Sequence, residues 1–448
     1  MPVITLIALA TAIVAATAVP AAEPQLSLAA CVREALAANP DLGAAAARAE
    51  AAKAAAVAVA AARLPRLDLS AGYLYSERAQ RAVQPSFPGE MLRYDQDVAE
   101  ATVELRAPLY AGGRLVAATR AADLGAAASR LALAGTRQDL AVSVAATYLA
   151  AVEQQAKIDA VRGSLKALEA QLAVATTMEE VGRIAPLDRL KVEVRVASVR
   201  QQLSRARHDR ELLLHRLATL LGRGPEQPKP EVGEAPPPLP VESSAEELVA
   251  EALRSRPELK AAQLEVARAD QELTVVIGER RPAVDAYARY TARSVVPPKS
   301  DELRGYDSYG AGGVVFRQPL WTGGQLKARA VEARARLDKA REGARAVELR
   351  VTEEVRMVLA AHAEAEERTT VARRGLDQAR EAFEVERVNY ELGRSSVNDV
   401  LDAQAALLES ELALAQASHD LALAAIAVAQ AAGRDVVELL AGEHGEGR

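Results

Sequence analysis

Two kinds of hydrophobic spacing alternate along the chain, and each is written twice. Leu67, Leu69, Ala71, Tyr73 and Tyr75 alternate with Asp68, Ser70, Gly72, Leu74 and Ser76. A period of two predicts a strand whose faces meet different surroundings. A second strand ends with Val103 and Leu105 on one face and Glu104 and Arg106 on the other. Further on, Val284, Ala286, Ala288 and Tyr290 oppose Asp285, Arg289 and Arg293, and Val314 and Phe316 alternate with Val315 and Arg317. Helical spacing takes over after each strand pair. Residues 114–181 and 325–392 each read as a continuous helix, with apolar positions such as Leu124, Leu131 and Ala134, then Leu165, Leu168 and Leu172. At 1.5 Å per residue such a helix reaches about 100 Å, too long for an ordinary globular element. Shorter helices are expected before the strands, at 28–63 and 245–280, each interrupted near an internal proline, and after the long helices, at 186–221 and 396–432.

The punctuation between these elements repeats at a fixed distance. Arg106-Ala-Pro108-Leu-Tyr-Ala-Gly112-Gly113 returns as Arg317-Gln-Pro319-Leu-Trp-Thr-Gly323-Gly324, 211 positions later. Gly182 returns as Gly393, and Leu221-Gly222 as Ala432-Gly433, at the same offset. Alanine-rich helices can resemble one another by composition, but shared breaks at one spacing indicate duplication. The helix openings Asn39-Pro40 and Arg256-Pro257 stand 217 apart. The six additional residues therefore fall between those openings and the Pro108 and Pro319 turns, where a loop absorbs them at small entropic cost. Between the halves, Pro225 to Pro240 holds seven prolines. They restrict the backbone and remove donors, so an extended connector is expected. The resulting division is 1–22 leader, 23–224 first repeat, 225–244 connector, 245–433 second repeat and 434–448 polar tail.

Composition narrows what these helices can build. Among 448 residues there are three Phe, one Trp and four Met, whereas alanine fills stretches such as 44–47. Thin helical layers in close contact suit these small side chains better than a thick core. Eleven of the fourteen aromatic residues fall in 67–110 or 283–321. Tyr and Trp favour the boundary between lipid and water, so the strands are expected to cross a bilayer; the alternative is ordinary β-propensity in a soluble sheet. Residues 3–19 are apolar and followed by Pro20, Ala21 and Ala22, the outline of an export signal, although it lacks a positive charge near its start. Beyond it no run reaches the 18 apolar residues of a spanning helix, so insertion must use strands.

The chemistry-bearing residues exclude more than they suggest. Cys31 is the only cysteine, which rules out an intrachain disulfide. Leu28-Ala29-Ala30-Cys31 has the outline of a lipoprotein processing box. Glu23, Pro24 and Gln25 separate it from the apolar segment, and Arg33 and Glu34 continue a helix through it, so Cys31 is read as a packed helical residue. The glycine pairs lack the spacing and following Lys-Ser/Thr of a phosphate loop. His208, His215, His362, His419 and His444 form no compact metal-ligand pattern. No cofactor, metal or catalytic residue is expected. The net charge of −6, without a Lys/Arg block, gives no reason to expect nucleic acid.

Four membrane strands in one chain leave two edges unpaired, and unpaired backbone is prohibitively costly in lipid. Several copies must share one closed sheet, and cyclic association supplies the closure. At this point the chain resembles the TolC-like outer membrane efflux protein family. The resemblance rests on the two helix openings, the two strand-to-helix turns at Pro108, Gly112 and Gly113 and at Pro319, Gly323 and Gly324, and the segment Tyr390-Glu-Leu-Gly393-Arg-Ser-Ser-Val397-Asn-Asp399-Val-Leu-Asp402-Ala403.

The resemblance implies a mainly α protein with a membrane β portion, forming a homotrimer with a twelve-stranded β-barrel in outer-membrane lipid and an α-helical barrel in the periplasm. Its implied partners are a periplasmic adaptor and an inner-membrane transporter, for efflux or type I secretion. Acidic residues form a gate near the periplasmic end in that family. Asp399 and Asp402 match the pattern after Gly393, and Asp188 takes the corresponding place after Gly182, with Arg394 and Arg183 beside the breaks. Three copies of an inward aspartate would make a ring that controls ion passage. The competing reading is that an aspartate near a helix start complements the helix dipole. A competing function is a non-channel periplasmic coiled-coil structural or adaptor protein, which leaves the strands without a purpose.

Overall fold

Local chemistry at the helix ends sets out the architecture. A computed structural model describes residues 25–75, 81–83, 91–93, 97–241, 243–295 and 307–441; the expected leader at 1–22 lies outside them. Ser27 caps α1 (Leu28–Ala38). The Asn39 side chain then accepts hydrogen bonds from the Asp41 and Leu42 amides to start α2 (Pro40–Ala61), with Pro40 at a position where no donor is needed. The chain continues through β1 (Arg66–Tyr75), a small hairpin of β2 (Arg81–Val83) and β3 (Met91–Arg93), and β4 (Asp97–Ala111). Next come α3 (Arg114–Glu180) and α4 (Pro186–Leu220).

The second half repeats the order with α5 (Ala245–Ser255), α6 (Pro257–Gly278), β5 (Ala283–Val295), β6 (Asp307–Arg317), α7 (Gln325–Glu391) and α8 (Val397–Ala431). The paired helices have equal lengths of 11, 22, 67 and 35 residues. Among the described residues, positive φ occurs only at Gly112, Gly113, Gly182 and Gly222 and at their partners Gly323, Gly324, Gly393 and Gly433. The breaks in the sequence are thus the left-handed positions that glycine adopts without a Cβ penalty.

Packing follows the same doubling. One core joins α1, the middle of α3, the end of α4 and the end of the chain. A second joins the far half of α3 with α4 and the α7–α8 turn, and a third joins α5, α7 and the end of α8. Small residues let the helices approach closely: Ala141, Ala145 and Ala151 on α3 are fully covered. In each half the first short helix is tied to the end of the fourth by an ion pair. Arg223 binds Glu34 through two hydrogen bonds of 2.6 and 3.0 Å, and Arg434 binds Glu251 at 3.0 and 3.1 Å. These charge-assisted forks close the two repeats in the same way. The proline-rich segment between the halves is held in place at several points. Leu26 and Val232 form an isolated parallel bridge, and the buried Tyr148 hydroxyl donates within hydrogen-bond reach of the Leu26 and Glu234 carbonyls.

Two expectations change. The tail at 434–448 is not simply polar: α9 (Val436–Ala441) buries Val436, Val437 and Leu440 in the first core, and Arg434 completes the second ion pair. Pro108 lies inside β4 rather than in the turn. β1 ends its pairing at Arg106, so Pro108 has only β5 beside it, and the ladder shifts between Pro108 and Tyr110, the kind of irregular position where a strand tolerates proline. One helix, α8, is long enough and apolar enough on average to cross a membrane, although it holds no unbroken run of 18 apolar residues. It packs instead against α7 and α3 and carries Glu409, Glu411 and Asp420. Cys31 is fully buried in α1, which leaves its thiol no room for an attached lipid in this fold.

The two glycine turns are chemically alike but spatially different. A Cβ on Gly112 would stand 2.6 Å from the Gly278 carbonyl oxygen, whereas one on Gly323 would meet nothing within 4 Å. Gly323→Ala should therefore cost about 1–2 kcal/mol from its left-handed backbone, and Gly112→Ala about 2–5 kcal/mol because overpacking is added. Thermal unfolding of both variants checks the order; equal losses would show that the Gly112 contact relaxes freely.

Candidate functional site

The strands form one antiparallel sheet in the order β1-β4-β5-β6, so the two halves meet at β4 and β5. Register turns the alternation seen along each strand into two continuous surfaces. Leu67, Leu105, Ala288 and Gly312 lie across from one another, as do Leu69, Val103, Tyr290 and Gly310. Tyr110, Val284 and Phe316 continue this face beyond the bulge. Its large side chains are uncovered: Leu69 is 74% exposed and Phe316 66%. The opposite face carries Asp68, Glu104 and Arg289 in one row and Ser70, Thr102, Thr291 and Tyr309 in the next. Thr102 and Thr291 share a hydrogen bond of 3.0 Å between their hydroxyls, Arg66 pairs with Asp68 at 2.7 Å, and Arg106 pairs with Glu104. Such a sheet has an apolar surface with no protein against it and a polar surface suited to water. The outer edges of β1 and β6 have no strand partner among the described residues.

At the far end of the long helices, two turns link α3 to α4 and α7 to α8. They use different chemistry. In the first, Arg189 binds Glu179 at 2.5 Å and Glu193 at 2.7 Å, pinning the end of α3 to the start of α4. Asp188 is half-buried and pairs with Lys191 at 3.2 Å. In the second, Ser396 caps α8 by accepting from the Asp399 amide, and the Asp399 carboxylate accepts from the Ser396 amide at 2.8 Å and its hydroxyl at 2.7 Å. This reciprocal capping box occupies Asp399. Asp402 stands nearly one turn further along, exposed and without a hydrogen bond or ion pair among the described residues. Arg183 and Arg394 are likewise exposed and form no ion pair there.

The two turns are neighbours through Tyr390, whose ring lies in the second core with Val192, Val397 and Val400. Burial raises the Tyr390 pKa, and the charge of Asp188 raises it further. The structure thus brings Asp188 close to the α7–α8 turn that carries Asp399 and Asp402, and puts the strand-to-helix glycines at the other end of the long helices. The ion pairs of Arg189, and Arg223 and Arg434 in the helix-end forks, were not singled out from the sequence. Their only sequence signal was the repetition of Arg223 at Arg434 with the 211-residue offset.

A groove of about 760 Å³ runs along α8 between α3 and α7, with the connector prolines Pro236 and Pro238 at one end. Leu407, Leu414 and Phe383 make its wall apolar. Burial raises the Glu411 pKa there, against a lowering influence from Arg380. Among the described residues no cluster of His, Cys, Asp and Glu could hold a metal ion.

The capping box has a pH signature. Its hydrogen bonds hold the Asp399 carboxyl below the ordinary value of 3.8, so the stability they contribute is fully present above that value and is lost as pH falls through the lower folded-state value. Amide exchange at the start of α8 should accelerate relative to mid-helix on acidification below about 3.8. Asp399→Asn should remove that step, and Asp402→Asn should keep it.

Comparison with known proteins bears on both ends of the molecule. The sequence profile of the family described as outer membrane efflux protein matches residues 31–223 and 248–434, one segment in each half. No curated protein sequence gives a significant match. Among solved structures, the outer-membrane channel OprN is 22% identical with a TM-score of 0.80, covering 92% of this chain and 90% of that one. The outer membrane protein VceC from Vibrio cholerae is 22% identical with a TM-score of 0.77, covering 91% and 96%. The CmeC outer membrane channel of Campylobacter jejuni is 18% identical with a TM-score of 0.78, covering 91% and 85%. At these identities the likeness is one of fold.

Proposed function

Because the chain belongs to the outer membrane efflux protein family, we propose that three copies of it close into one exit duct that passively conducts substrates handed over from the inner membrane. Its place is the outer membrane, with extension into the periplasm, and it is a transport duct rather than an enzyme. The observation that carries the trimeric proposal is the sheet: two open edges, an apolar face with no protein on it, and a polar face opposite. Closing β6 of one protomer against β1 of the next removes both edges at once. Three protomers then give a twelve-stranded barrel, in which the apolar face meets lipid and the charged rows of Asp68, Glu104 and Arg289 line water. Below it, α3, α4, α7 and α8 become the wall of a helical barrel in the periplasm. A passive duct needs an external source of work, which assigns the driving step to an inner-membrane transporter and the join to a periplasmic adaptor. The coiled-coil alternative gives no role to the uncovered sheet face.

In this reading the helix turns at the periplasmic end form the gate. Asp188, Asp399 and Asp402 of three copies would give acidic rings, with Arg183 and Arg394 available to pair across protomers. Since Ser396 already holds Asp399, the carboxylate free to meet a passing cation is chiefly that of Asp402. Symmetry triples the charge at one level of the pore, which is how carboxylate rings act on cations.

Reconstitution in planar bilayers tests the proposal. A stable trimer with cation-preferring conductance is expected, and a monomer without conductance would defeat it. Divalent cations should block the pore; Asp402→Ala should relieve most of the block, whereas Asp399→Ala should relieve less while loosening the start of α8. Unchanged block in the double variant would remove the aspartates from the gate.

A further inference from the structure

All four crossings between strand and helix lie at one end of the sheet, because Arg66 pairs with Arg106, Ala283 with Ala111, and Ala283 with Arg317. The charge at this level is at odds with the rest of the chain. Arg63, Arg114, Arg120, Arg280 and Lys327 are exposed and have no ion-pair partner among the described residues. Arg281 is also exposed and donates to the Gly112 carbonyl oxygen at 3.2 Å. The acidic residue in these crossings, Glu279, is answered by Arg329 at 3.1 Å. A chain of net charge −6 therefore has a strongly positive belt where its sheet becomes helix.

The same level carries a second, independent feature. The crossings expose large apolar and aromatic side chains: Leu320 is 91% exposed and Trp321 88%, and Leu109 and Tyr110 are also uncovered. Aromatic rings beside Arg and Lys match the headgroup layer of a bilayer. The rings take the acyl boundary, and the cations reach the phosphates. The long helices lead away from this end, so the belt faces the periplasmic leaflet.

We infer that the strand-to-helix crossings form a collar that gathers anionic phospholipid headgroups of the periplasmic leaflet around the duct. This inference rests on the membrane reading above. The leaflet lipid fits better than a free phosphate because the exposed Leu320 and Trp321 require an apolar partner next to the anion. Recruitment needs no bond rearrangement; each unscreened cation attracts a negatively charged headgroup that diffuses in the membrane plane.

Trp321 is the only tryptophan in the sequence and reports on this layer directly. The full chain would be reconstituted in phosphatidylcholine vesicles carrying either brominated phosphatidylglycerol or brominated phosphatidylcholine at equal mole fraction, and quenching of Trp321 compared. Quenching by the anionic lipid should correspond to a local enrichment of about two- to five-fold, the upper figure matching one fully effective basic residue. The excess should vanish in a variant combining R63Q, R114Q, R280Q and K327Q, and should fade in concentrated sodium chloride. If that variant does not assemble, the salt series on the unaltered protein decides, and an excess that survives high salt overturns the collar. Equal quenching by the two lipids also overturns it. Loss of the excess on adding inorganic phosphate, beyond that seen with chloride at equal ionic strength, would assign the collar to a free anion instead. No quenching by either lipid would overturn the membrane reading itself.

Discussion

Backbone groups that enter a hydrocarbon layer have no water to fall back on, and the sheet of this protein meets that constraint only partly by itself. β4 and β5 are paired on both sides for most of their length, but among the described residues β1 and β6 each keep one row of donors and acceptors open. In the proposed assembly everything else follows from closing those edges. The order β1-β4-β5-β6 puts the two halves of the duplication side by side in the middle, so each protomer offers one edge from each half. A neighbour related by rotation then presents β1 to β6, a contact that closes into a ring. The alternation of side chains allows one ring to face lipid and water together without a hydrophobic core between two sheets.

The helical body answers a different constraint. Helices of 67 residues cannot be covered by their own chain alone, and α8, apolar through much of its length, leaves much of its surface half-covered. Close approach through Ala141, Ala145 and Ala151 stabilises the layers without large side chains. Ion pairs and caps then fix the ends, where backbone groups would otherwise be orphaned. Asn39 shows how compactly this is done: its carbonyl side accepts from the start of α2 while its amide donates to the Leu220 carbonyl at the end of α4, 2.9 Å away. The second half reaches the same closure with different atoms. Ser255 donates to the Ala432 carbonyl at 2.8 Å, and Arg256 turns to Glu354.

What could be read from the sequence was whatever depends on neighbours along the chain. Period-two alternation gave the strand faces correctly, since register can only align faces that already exist. The glycines at 112, 182 and 222 and their partners marked left-handed breaks, because no other residue takes that backbone so cheaply. The features that escaped depend on distant partners. Val436 to Leu440 look like the start of a polar tail until α1 and α3 are placed against them. Pro108 looks like a turn residue until β4 is seen to run on past the end of β1, with only β5 beside it. Along the sequence Asp399 fits both a gate and a charge that complements the helix dipole; geometry shows a capping box with Ser396 and leaves the pore role as a proposal.

Charge shows most clearly why local placement matters more than totals. A net −6 says only that the chain is mildly acidic. Along the molecule the signs are sorted: opposite charges interleave on the polar face of the sheet, as Arg66 with Asp68 and Arg317 with Asp285. Cations dominate where strand becomes helix, whereas at the helix turns the exposed Asp402 stands in the same turn as the exposed Arg394. Interleaved charges largely cancel beyond a Debye length of about 8 Å, so in the proposed barrel the polar face of the sheet has little long-range preference. In the proposed assembly the crossings act toward the leaflet and only the helix turns act on what passes, and symmetry repeats both levels in every subunit that closes the sheet.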